Sequence, residues 1–155
     1  MASISELDEA VTIVRNAGNK NLVLLKCTSA YPAPYEDSNI LTIPHMKKLF
    51  NCQVGISDHT MGIGTSLAAI AHGATVVEKH FTLDRSDGGV DSEFSLEPKE
   101  LTLLVNEAKN VKDSLGCVHY GISDSDKRSS RLKRSIYASE NIKIGETFSD
   151  LNLKI

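Results

Sequence analysis

Gln53-Val-Gly-Ile-Ser-Asp-His-Thr-Met-Gly-Ile-Gly-Thr-Ser-Leu-Ala-Ala-Ile-Ala-His-Gly-Ala-Thr-Val-Val-Glu-Lys-His80 is the stretch that decides the fold. Two short apolar runs, Gln53 to Ser57 and Ala74 to His80, flank a small-residue helix, Gly64 to His72, which Gly73 stops. Continuous apolar runs of this length are the mark of strands covered on both faces. A helix between two such strands makes a βαβ unit, and its strands run parallel. In folds of this kind function gathers at the carboxyl ends of the strands. His59, in Gly55-Ile-Ser-Asp-His-Thr60, and His80, in Val76-Val-Glu-Lys-His-Phe81, stand at two consecutive strand ends.

The same grammar extends outward. Ser3-Ile-Ser-Glu6 fits a capping box. Leu7, Ala10, Val11 and Val14 then fall on one helical face, with Gly18 as the stop. Leu22 to Cys27 is another continuous apolar strand, and Tyr31-Pro-Ala-Pro34 must be a loop. A helix follows to Phe50 from about Pro44. Asp84 to Asp91, with Gly88-Gly89, is a polar loop. Pro98 opens a helix whose core face is Leu101, Leu104, Val105, Ala108, Val111 and Leu115, ended by Gly116. The order α-β-α-β-α-β-α specifies an α/β fold with a parallel sheet. Three strands are few, because a closed (β/α)8 barrel takes eight strands and about 250 residues. The chain is therefore expected to be the C-terminal portion of a (β/α)8 TIM barrel, with about five strands outside it on the N-terminal side. Beyond Gly116, Gly121 to Ser130 is polar and linker-like, and Ser135–Ser139 and Ile144–Phe148 are the expected first strands of a small β-rich module.

Composition narrows the function classes. A net charge of −3 over 155 residues gives no electrostatic case for nucleic acid. No apolar run approaches the roughly 18 residues of a membrane span. The first residues lack the basic and apolar regions of a signal peptide. Cys27, Cys52 and Cys117 form no C-x-x-C pair and suit reduced thiols, so a cytoplasmic setting is expected.

Side chains two apart on a strand point the same way, so Ser57 shares a face with His59, and Glu78 with His80. Ser29 and Tyr31 are spaced likewise at the first strand's end. Two imidazoles with open positions suit a divalent metal acting as Lewis acid on a carbonyl oxygen. Glu78 can move a proton or orient a hydroxyl, and Asp91, after the Gly88-Gly89 hinge, can cap the site. The ordinary alternatives are a packed or capping histidine, a surface charge at Glu78-Lys79, a solvated loop holding Asp84, Asp87 and Asp91, and a tight turn at Met61-Gly-Ile-Gly64 in place of an anion site.

Four motifs, Cys27-Thr-Ser-Ala-Tyr-Pro-Ala-Pro34, Gly55-Ile-Ser-Asp-His-Thr60, Glu78-Lys-His-Phe-Thr82 and Gly88-Gly-Val-Asp-Ser-Glu-Phe-Ser-Leu-Glu-Pro98, resemble the sialic acid synthase family. The first and last favour its pseudaminic acid branch over the sialic (N-acetylneuraminate) and legionaminic acid branches. The resemblance implies a transferase that condenses phosphoenolpyruvate with an N-acetylated amino sugar, of the 2,4-diacetamido-2,4,6-trideoxy-altrose type, to a nonulosonic acid with release of phosphate. It also implies a barrel followed by an antifreeze-like (SAF) module, working as a homodimer at full length. On this basis residues 1–116 correspond to part of the barrel, 117–132 to the linker and 133–155 to the start of the SAF module. His59 and His80 would ligate Mn²⁺ or Mg²⁺. Ser57 and Tyr31 would lie on the phosphoenolpyruvate side. Ser29 stands where sialic acid synthases have Asn, and Glu78 and Asp91 match carboxylates near the sugar. The family's phosphate-binding lysines have no counterpart here, which points to a truncated or split enzyme completed by an N-terminal half. The competing expectations are an inactive remnant or interaction module and, with less support from the motifs, a metal-dependent hydrolase.

Overall fold

The computed structural model describes residues 1–155, which divide into two units, Met1–Gly116 and Cys117–Ile155. In the first, α1 (Ile4–Asn16), β1 (Val23–Cys27), α2 (Thr42–Phe50), β2 (Gln53–Asp58), α3 (Gly64–Ala71), β3 (Val77–Lys79) and α4 (Pro98–Leu115) follow the expected alternation. The three strands form one parallel sheet in the order β1-β2-β3. No helix is long and apolar enough to cross a membrane.

Local chemistry sets the boundaries. Ser3 and Glu6 make the reciprocal capping box at α1, and the Ser3 hydrogen bonds, backbone N–H first, hold the Glu6 carboxyl below its usual range. Two boundaries differ from the sequence expectation. α2 begins at Thr42, because Pro44 is tolerated inside a first turn, and it ends on Asn51 in the left-handed conformation, a role usually given to glycine. β3 is only three residues long, although the preceding chain already bonds to β2 through Thr75 N to Val54 O and Ile56 N to Val76 O, both 2.9 Å.

The core lies between the sheet and the helices. Val11, Ile43, Met46, Phe50, Val54, Ile56, Ala69 and Ala74 are buried, with Leu7, Leu22, Leu24 and Val77 packed against them. Ala10 is exposed, contrary to its expected core place. On α4 only Leu104 is buried, while Leu101, Val105 and Leu115 remain exposed. The sheet ends at β3, so the rest of that helix face has no strand to cover.

Gly55 has a packing reason. A β-carbon there would sit 2.3 Å from the Val76 carbonyl oxygen and 2.8 Å from Leu25 Cδ2. Gly55→Ala is expected to destabilise the unit by about 1–3 kcal/mol, since backbone on a neighbouring strand cannot yield as a side chain can. Urea unfolding followed by circular dichroism measures this, and an unchanged midpoint would mean that the sheet opens freely at this point.

The second unit pairs β4 (Tyr137–Ala138) antiparallel with β5 (Leu153–Lys154). Tyr137 and Ala138 lie inside the expected Ser135–Ser139 strand, but Ile144–Phe148 is not a strand. Gly145 turns the chain at φ +87°, and the Glu146 carboxylate accepts from Lys143 N at 2.9 Å, closing a turn. Asn152 is the one buried residue of this unit, and it bonds Ser149 N and the Thr147 carbonyl. Ahead of β4, Ser123 and Asp126 cap a local turn, and Ser129–Leu132 forms a 3-10 helix.

Candidate active site

The carboxyl ends of β1, β2 and β3 lie side by side. The register aligns Cys27 with Ser57 and Ser57 with Glu78, so these three form a row across one face of the sheet. Ser57 Oγ donates to Glu78 Oε1 at 2.6 Å. Two residues further along each strand direction stand Ser29, His59 and His80. The His59 and His80 rings meet edge to face, with centroids 5.1 Å apart.

His59 is engaged through Nδ1, and His80 Nδ1 faces a carboxylate. The Nδ1 atom of His59 is 3.1 Å from the Thr28 carbonyl oxygen, a pure acceptor, so this nitrogen carries the proton and donates. Cys27 Sγ lies 3.9 Å from the same nitrogen. For His80, Nδ1 is 3.5 Å from Asp91 Oδ2. A ring fixed through Nδ1–H presents an Nε2 lone pair for a ligand. His59 is buried and His80 half-buried.

Two aromatic rings wall the pair. Tyr31, after β1, lies 4.4 Å from His59 and 6.1 Å from His80. Phe94 lies 5.0 Å from His80 and 6.4 Å from His59. The chain returns to bring Phe94 there: Leu96 N donates to the His80 carbonyl at 2.8 Å, and Thr82 N to the Leu96 carbonyl at 2.9 Å. Arg85 clamps the base of the intervening loop, donating to the Ser95 carbonyl and to the Glu100 carboxylate. The Glu97 backbone N–H, then Arg85, hold the Glu100 carboxyl below its ordinary range. Asp84 caps the turn at Arg85–Asp87, and the Ser86 hydroxyl and N–H lower its carboxyl in the same way.

Of the residues expected from sequence, Tyr31, Ser57, His59, Glu78, His80 and Asp91 come together. Ser29 meets them through Cys27, whose Sγ lies 3.8 Å from Ser29 Oγ. Phe94 and Cys27 join the cluster without having been anticipated. Register alone could have found Cys27, whereas Phe94 depends on the loop's return. Met61-Gly-Ile-Gly64 forms a tight turn, with Gly62 at φ +68°.

On the opposite face, Lys79 does not behave as a surface charge beside Glu78. Its ammonium is buried against Asp58, at 3.1 Å. Lys26 also lies on that face and donates to Thr28 Oγ1 and the Cys27 carbonyl, and burial pushes its pKa below the ordinary lysine value.

No cluster of three or more His, Cys, Asp or Glu side chains is disposed to hold a metal. The histidine pair nevertheless offers two adjacent imidazoles, His59 oriented through its Nδ1 hydrogen bond, with room for substrate or water oxygens beside them.

The sequence profile of the NeuB family matches residues 1–120. The chain belongs to the NeuB family. This NeuB-family chain is 41% identical over 156 residues to the N,N'-diacetyllegionaminic acid synthase of Campylobacter jejuni subsp. jejuni serotype O:2, covering 99% of the chain and 47% of that relative. It is 40% identical over 154 residues to the pseudaminic acid synthase of Campylobacter jejuni subsp. jejuni serotype O:23/36, covering 99% of the chain and 45% of the relative. The crystal structure of N-acetylneuraminic acid (sialic acid) synthetase from Leptospira borgpetersenii serovar Hardjo-bovis, in complex with citrate, superposes with a TM-score of 0.74 at 37% identity. That match covers 85% of this chain and 46% of the other. The chain thus spans about half the length of the curated relatives it matches, and its α/β unit is a partial TIM barrel.

Proposed function

We propose that this chain carries the histidine-pair half of a nonulosonic acid synthase, which condenses phosphoenolpyruvate with an N-acetylated amino sugar and releases phosphate. What points to this chemistry is one arrangement: His59, fixed through Nδ1, and His80, with Asp91 3.5 Å from its Nδ1, beside the hydrogen-bonded Ser57–Glu78 pair. His59 and His80 would hold Mn²⁺ or Mg²⁺, which when bound supplies Lewis-acid polarisation of the sugar carbonyl. Glu78 receives the Ser57 hydroxyl on one oxygen and keeps the other free to accept a sugar hydroxyl or a proton. Tyr31 and Phe94 flank the histidines. Asp91 faces His80 from the loop above it. Ser57 and Tyr31 are assigned to the phosphoenolpyruvate side, and Ser29 to its margin.

Lys26 and Lys79 both turn away from the Ser57–Glu78 row, so the phosphate needs cationic partners from elsewhere. We assign them to a complementary N-terminal half, whose strands would pair with the open edges of β1 and β3. A homodimer of the whole enzyme, a SAF module beginning near residue 133 and a cytoplasmic location belong to the same proposal. The overall identities of 41% and 40% do not separate the legionaminic and pseudaminic branches. The Thr28-Ser-Ala-Tyr-Pro-Ala-Pro34 and Asp87-Gly-Gly-Val-Asp-Ser92 segments favour the pseudaminic acid precursor as the sugar.

The test is phosphate release from phosphoenolpyruvate with Mn²⁺ and the pseudaminic acid precursor. It is run on this chain alone and on the chain mixed with the N-terminal half of a related synthase. Release only in the mixture is expected, and faster than with the legionaminic acid precursor. A folded mixture without activity would instead make the chain a remnant or interaction module.

A further inference from the structure

The β2–β3 register also pairs Asp58 with Lys79, on the face away from the histidines. Their side chains are 0% and 3% exposed. Lys79 Nζ lies 3.1 Å from Asp58 Oδ2 and donates to the Thr60 carbonyl at 2.7 Å. Asp58 Oδ1 accepts from Thr60 N at 2.9 Å and from Thr60 Oγ1 at 2.8 Å. Asp58 Oδ2 accepts from Ser66 Oγ of α3 at 2.6 Å. The residues on both sides of His59 are therefore held by the residue that immediately precedes His80.

This link falls at the last rung of the β2–β3 ladder. β2 ends at Asp58, so His59 and Thr60 lie beyond the ladder. Apart from the Lys79 link, the His59 segment is tied by Ala33 N to the His59 carbonyl and by His59 Nδ1 to the Thr28 carbonyl, both toward β1. Toward β3, the strand that leads into His80, the side-chain hydrogen bond to this segment comes from Lys79, beside the His59–His80 ring contact. Sheet pairing does not require a buried ion pair, because Ile56 and Val77 already set the register. Burying two charges brings little net stability.

We infer that Asp58 and Lys79 are a positioning pair that fixes His59 relative to His80. The inference rests on the proposal that the two histidines work together. Two neutral double variants isolate the link without leaving an unpaired buried charge. Asp58→Asn/Lys79→Met removes the donor to Thr60, and Asp58→Asn/Lys79→Gln keeps one. Long-range ¹H–¹⁵N spectra of the histidine-labelled full chain report the tautomer of each imidazole. Wild type and the Gln variant are expected to show His59 as a single Nδ1–H tautomer. The Met variant, with unchanged circular dichroism, is expected to show a tautomer mixture at His59 while His45 and His119 stay unmoved. Mn²⁺ affinity in the Met variant should fall about 10-fold or more, the loss typical of a group that orients a ligand. Identical His59 and His80 spectra in both variants would overturn the inference. So would a Met variant that unfolds where the Gln variant folds, because the link would then carry stability and not position. A wild type that binds no Mn²⁺ would remove the metal proposal alone, since the tautomer comparison needs no metal.

Discussion

His59→Ala or His80→Ala, introduced into the assembled synthase, is expected to lower turnover at least about 100-fold, because loss of a group that merely orients a metal ligand already costs about 10–100-fold. The two histidines are not equivalent. His59 is buried, with Nδ1 committed to the Thr28 carbonyl and Tyr31 packed at 4.4 Å, so its loss also opens a gap beneath the tyrosine. His80 is half-buried, with Asp91 Oδ2 3.5 Å from its Nδ1 and no hydrogen bond to the ring. His80→Ala should therefore leave the fold untouched, whereas His59→Ala should also lower the melting temperature modestly. The readouts are kcat from phosphate release and Mn²⁺ affinity from the free-ion electron paramagnetic resonance signal. His45→Ala, on the exposed side of α2, serves as the control and should change neither. Wild-type turnover in the double variant would remove the ligand assignment.

How far the sequence could be read depended on the kind of interaction involved. Hydrophobic periodicity and caps are local, and they placed α1, β1, β2, α3 and α4 to within a residue or two. The alternation along β2 and β3 brought Ser57, His59, Glu78 and His80 to one face, as period-2 geometry requires. The failures were tertiary. Lys79 sits beside Glu78 and looks like one more surface charge, because only the packing of α3 against Asp58 shows that its face is closed. Phe94 reaches the histidines because Leu96 returns to pair with Phe81, a contact that nothing in the loop's polarity announces. The apolar face of α4 obeyed the helical period yet stays largely exposed, since burial needs a strand that this sheet lacks. Ile144–Phe148 had strand-like composition, but Gly145 and the Lys143–Glu146 hydrogen bond turned it. Tyr31 and Asp91 were named from spacing and from the Gly88-Gly89 hinge, and their places beside the histidines depend on loops that local pattern does not specify.

The largest expected effect on stability comes from Lys79→Met. That change removes the cation from Asp58 while leaving the carboxylate 0% exposed, with only hydroxyl and N–H donors around it. Breaking a buried pair by deleting one partner costs about 3–5 kcal/mol, a large share of the roughly 5–15 kcal/mol that holds a typical domain together. Adding Asp58→Asn should restore most of the loss. The side-chain amide keeps an acceptor for Thr60 and offers an N–H to Ser66, and no charge remains buried. The strongly non-additive cycle follows from where the energy lies: the pair itself contributes little, and the penalty belongs to the orphaned charge. Urea unfolding of wild type, both single variants and the double variant measures the cycle. A Lys79→Met cost no larger than that of the double variant would mean that water reaches Asp58, and that β2 and β3 separate at the histidine end more easily than their register suggests.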